Sequence, residues 1–139
     1  TTTLTLTLSN SNPVALAGAG FTDTLPTGLA VAAVPGISNS CGGVVTANAG
    51  GNALSLSGAT LAPNAVCTVS VQLQGVAAGT WTNGATITVA GLGNGNTASA
   101  VVTVYIVVPT LNNFGLLLTG LLLVVAGTVL RRRRAQTSV

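Results

Sequence analysis

Between residues 3 and 9, Leu4, Leu6 and Leu8 alternate with Thr and Ser. A period of two sets one face of an extended strand against a core and leaves the other hydrated. The pattern returns at Leu54 and Leu56. In the run 66–74 the inward set is Cys67, Val69, Val71 and Leu73, so the cysteine shares its parity with the core. Residues 85–90 point Ala85, Ile87 and Val89 the same way. In the run 97–108 one face carries Ala98, Ala100, Val102, Val104 and Ile106, and the other carries Val101, Tyr105 and Val107. That strand is expected to be buried on both sides or to meet a partner. Residues 30–33 read as a short strand or a loop. Clusters of Gly, Pro, Asn and Ser at 9–13, 25–29, 48–52, 61–65, 81–85 and 91–96 read as turns. Short strands at this spacing predict a mainly β protein, an antiparallel sandwich filling residues 1–108.

The pattern then changes. Residues 114–130 carry no charge and are mostly Leu and Val. As a helix they span about 25 Å, slightly less than the roughly 30 Å of a hydrocarbon core. Leu111 extends the run on one side, and arginine side chains can snorkel on the other. Asn112 and Asn113, after Pro109, offer an N-cap. The run is apolar on all faces and ends at Arg131, Arg132, Arg133 and Arg134. This predicts one C-terminal hydrophobic helix, in a membrane or a polymer core, after a linker at 109–113 and before a basic tail at 131–139. By the positive-inside rule the arginines are a stop-transfer cluster on the cytoplasmic side, which leaves 1–108 outside. The competing reading is a buried helix of the soluble domain. Gly115, Thr119 and Ala126 lie near one side of the helix, where small residues let a second helix approach closely.

Composition narrows the function. Charged residues make up 4% of the chain, against about 25% in an ordinary domain. All four basic residues sit in the tail, and Asp23 is the only acid. Nucleic-acid binding needs basic residues spread over a face with polar or aromatic readers among them, so that class is excluded. Ser and Thr abound, but the chain has no His, Lys or Glu to activate them, so no catalytic residues are assigned. A lone carboxylate builds neither an acid pair nor a calcium site, and two thiolates without His or further acids do not complete a zinc shell. No metal or cofactor is therefore expected. Asp23 is read as accepting a hydrogen bond from loop backbone. Gly91, Gly93 and Gly95 lack the spacing of a nucleotide-binding loop and read as a hairpin turn.

Cys41 and Cys67 read as a disulfide of an exported protein, which in the loop-entropy model contributes about 3.5 kcal/mol. Two buried free thiols are the alternative. The chain opens without Met, a basic segment or an apolar segment, so an exported protein is expected to have been cut at its N-terminus or to be a fragment.

Four segments carry a resemblance: "FTDTLPTGL", the cysteine pair in "CGG" and "CTV", "GTWTN", and "NTASAVVTV". Together they resemble a repeated bacterial surface domain of unknown function over nearly all of residues 1–104. The resemblance implies an immunoglobulin-like antiparallel β-sandwich that recurs in large exported proteins. Members usually carry about ten further residues, a strand ahead of residue 1. The chain is then either trimmed or open along that sandwich edge. The tail resembles the IPTL-CTERM sorting signal of Gram-negative bacteria, with Val108, Pro109, Thr110, Leu111, Phe114 and Gly115 in the motif positions. Val for Ile and Phe for Trp depart from that pattern. The signal implies surface display or secretion and processing by an exosortase-like membrane protease.

The expected function is thus a non-catalytic structural subunit at the surface of a Gram-negative bacterium. It associates with further copies of itself and with the membrane through its helix. The rival is a tethered adhesin recognising a glycan or protein, which Trp81 and Tyr105 are too few to support. An edge beside Leu4, Leu6 and Leu8, unguarded by charge, invites a strand such as 98–108 from a neighbouring copy. Head-to-tail repetition of that contact gives a filament.

Overall fold

The computed structural model describes residues 1–105. Nine strands make up the described chain: β1 (Thr2–Asn10), β2 (Leu16–Thr24), β3 (Leu29–Val31), β4 (Ser38–Asn39), β5 (Val44–Ala47), β6 (Ala53–Leu61), β7 (Ala65–Gly75), β8 (Gly79–Val89) and β9 (Gly93–Val104). They form two antiparallel sheets. One has the order β1-β7-β3, with β4 also on β7, and the other runs β5-β6-β2-β8-β9. Among the described residues no helix is long and apolar enough to cross a membrane. The helix expected over 114–130, the sorting motif Val108, Pro109, Thr110, Leu111, Phe114 and Gly115, the packing face Gly115, Thr119 and Ala126, and the four arginines lie outside the described residues.

The two-residue period produces the core. Leu8 of β1, Val69, Val71 and Leu73 of β7, and Val31 of β3 are buried on the first sheet. Phe21 of β2 and Leu54, Leu56 and Leu61 of β6 belong to the same cluster from the second. Each such side chain withdrawn from water contributes roughly 1.5–3 kcal/mol.

Two bulges break the period. In β2 the inward residues pass from Leu16 to Ala19, Phe21 and Asp23, and in β6 they pass from Leu54 and Leu56 to Ala59 and Leu61. The β2–β6 register slips between Ala17 and Ala19 and again between Ala19 and Phe21. Gly18 and Gly58 take positive φ there, 67° and 68°, a conformation open to glycine without cost. An extra residue in each strand flips its parity, so both halves of each strand face the core.

Asn10 is 1% exposed and closes the β1–β2 connection. Its amide donates to the carbonyls of Val14, Leu61 and Ala62, and its Oδ1 accepts from the Asn12 N–H. Cys41 and Cys67 are joined as a disulfide across 26 residues, tying the segment between β4 and β5 to β7. Asn39 supports this joint, with Oδ1 accepting from the Cys41 N–H at 2.9 Å.

Candidate functional site

Two features stand apart from ordinary core packing: a buried polar pair inside the sandwich, and an open flank.

The polar pair joins β2 to β8. Asp23 follows Phe21 by two residues, and Asn83 precedes Ala85 by two, so strand parity turns both side chains inward. Asp23 is 0% and Asn83 4% exposed. The Asn83 Nδ2 donates to Asp23 Oδ2 at 2.7 Å. Asp23 Oδ1 and Asn83 Oδ1 have no partner. Burial pushes the Asp23 carboxyl above its ordinary pKa, and the Asn83 bond pulls it partly back. Asp23 therefore lies in a strand and accepts from a side chain, not from loop backbone as the sequence suggested. The segment 81–85 differs in the same way. Asn83-Gly84 has the composition of a turn, yet β8 runs through it, with Asn83 opposite Ala100 and Gly84 opposite Ser99. Burial of the Asn83 side chain against Asp23 overrides the local turn preference.

One layer along, the same segments meet again. A Cβ at Gly28 would overlap the indole of Trp81, so the ring occupies the space that a side chain would take there. The Trp81 Nε1 donates to the Ala77 carbonyl at 3.2 Å. The stretches 21–29 and 79–83, separate in sequence, are thus two halves of one joint. Two-residue parity extended back from Ala85 reaches Asn83, and that signal was available in the sequence.

The open flank lies between the edges of the two sheets. Leu6 and Leu8 of β1 face Phe21, Ile87, Asn96 and Ala98 across a cleft of about 160 Å³. At the other end of β1, Thr1 and Thr2 lie across a second cleft, of about 230 Å³, from Val102 and Val104. Both clefts are smaller than the roughly 300 Å³ or more of a usual small-molecule site. Leu4, Leu6, Ile87, Val102 and Val104 pack on the core but remain half-buried. Val101 is 65% and Tyr105 82% exposed, so β9 is not buried on both faces. Among the described residues no group of three or more His, Cys, Asp or Glu side chains is placed to hold a metal.

A family model described as "Domain of unknown function (DUF7933)" matches residues 1–104. No curated protein and no solved structure matches the chain.

Proposed function

The chain belongs to the DUF7933 family, whose function is unknown, and from that footing we propose that it is a non-catalytic, extracellular structural subunit of a Gram-negative bacterial surface. In this reading residues 1–108 are an immunoglobulin-like sandwich that associates with further copies of itself. Residues 109–139 hold it to a membrane or enter the core of an assembly, after handling by a sorting protease. The observation that carries the reading is the disulfide between Cys41 and Cys67. Bonds of this kind persist in oxidising compartments outside the cytosol. The non-catalytic part rests on a chain without His, Lys or Glu, whose one acid is sealed in the sandwich. An adhesive surface gains little support, because Trp81 is spent on Gly28.

Intact cells treated with a broad-specificity protease test the reading. Trypsin is unsuitable, since the only Lys or Arg residues are the four of the tail. The sandwich should be degraded while a periplasmic marker survives. A sandwich that stays protected until the outer membrane is opened overturns surface display.

A further inference from the structure

The two long, uncharged sheet edges of this domain lie on one flank. β1 and β9 each pair with a single neighbour, β7 and β8, so each has one side of backbone groups free among the described residues. The clefts fix their mutual placement. Residues 6–9 lie across from Asn96 and Ala98, and residues 1–2 lie across from 102–104. The two edges therefore bound the same slot and run antiparallel across it. They are nine and twelve residues long, and neither contains a charged residue. The opposite flank differs. Its edges are β5, of four residues, and β3 and β4, of three and two. Very short edge strands are one way in which sheets avoid unwanted pairing, and charges on the edge are another. The short flank has the first protection and the long flank has neither; a bulge between Asn94 and Thr97 interrupts the start of β9, which leaves Thr97–Val104 and all of β1 as regular open edge.

This placement discriminates between modes of self-association. A head-to-tail filament needs a donor edge and an acceptor edge on opposite sides of the domain. Here both open edges face the same way, and the contact that satisfies both at once is a two-fold one. If the axis runs along the strands, β1 pairs with the second copy's β9, and β9 with its β1. Rotation about that axis keeps strand direction, so both pairings are antiparallel, as β1 and β9 already are across the slot. If the axis runs along the sheet normal, β1 meets the second copy's β1 and β9 its β9, again antiparallel. Either way four free edges are consumed and the half-buried Leu4, Leu6, Ile87, Val102 and Val104 become shared core.

We propose that this flank is the interface of a closed two-fold dimer, with a second copy of the chain as its occupant. The dimer rests on the self-association part of the function proposed above and is independent of surface display. Any fibre would have the dimer as its unit and would grow through a different contact.

The full chain in detergent micelles, examined by sedimentation equilibrium, gives the test. The expected mass is that of two chains. Leu6→Lys places a charge at the slot, where it reaches water in a monomer and is buried in the dimer. It should raise the dissociation constant at least about tenfold. Ala100→Lys, at an exposed position of β9, should do the same without touching the buried core. Val44→Lys, on β5 at the opposite flank, should leave the dimer intact. A wild-type monomer overturns both the dimer and self-association. An open-ended series of larger species overturns the dimer alone. A dimer that resists both Leu6→Lys and Ala100→Lys uses another surface, and the inference falls.

Discussion

Asp23 and Asn83 together hold one hydrogen bond and two unsatisfied oxygens, one on each residue. A carboxylate can only accept, so it cannot serve the amide oxygen beside it. A protonated carboxyl can donate, which offers that oxygen a partner. With no cationic side chain in residues 1–105, the proton is the natural counter-charge. The stability consequence follows from the raised pKa. The folded state keeps the Asp23 proton to higher pH than the unfolded chain does. The associated stability is fully present below the unfolded carboxyl range and is lost as pH rises through the folded value. Wild-type protein should therefore unfold at a higher denaturant midpoint at pH 4 than at pH 7. Asp23→Asn mimics the protonated group and should stabilise the domain at pH 7 by about 1 kcal/mol, the scale of one rescued buried acceptor. The variant should also flatten the pH profile between those values. A wild-type midpoint that falls toward acid would refute the argument. Composition told that Asp23 was alone. It could not tell that a bulge at Gly18 sets the parity that turns Asp23 inward.

At the scale of the element, period two located β1, β7 and the first half of β6 well, because each of those stretches buries one face; the bulge at Gly58 hid the second half of β6. The same reading missed the interior of β8, where Asn-Gly imitates a turn, and the start of β9, where Gly93, Asn94 and Gly95 are already in the strand. Turn composition is a local preference, and pairing between β8 and β9, with burial of the Asn83 side chain, overrides it. Contact between the β2–β3 connection and β8 was likewise illegible, since nothing local to Gly28 names Trp81. That contact is testable. The φ of Gly28 is not positive, so alanine meets no backbone penalty, and its whole cost is the overlap with the indole. Gly28→Ala should destabilise the domain by about 1–3 kcal/mol, as overpacking does. In the Trp81→Ala background the same change should cost less by at least about 0.5 kcal/mol, the mark of residues in contact. Additive losses in urea unfolding would show that the indole and the glycine are not coupled.

For the whole molecule, the chain divides into a unit of Thr1–Ile106 and a unit of Val107–Val139. The buried cluster is drawn from β1, β2, β3, β5, β6 and β7 and the connections between them, with half-buried side chains of β8 and β9 packed on it, and the disulfide lies inside the same span. The first unit thus contains its own hydrophobic cluster, both sheets and its covalent staple. The apolar residues 114–130 and the four arginines all belong to the second unit. The composition shift that the sequence displays after residue 108 therefore falls close to the division between the units. A chain ending at Ile106 should fold without detergent and keep its thermal midpoint within about 4 °C of the full chain, a change of under about 1 kcal/mol for a domain of this size. It should partition into the aqueous phase of a detergent phase separation, whereas the full chain follows the detergent. If the two-fold flank pairing is right, the shortened chain remains a dimer in water, because every residue of that interface lies before position 106. A shortened chain that loses cooperative unfolding would mean that residues beyond Ile106 complete the sandwich. The half-buried leucines and valines of the open flank would then be covered from within the chain instead of by a second copy.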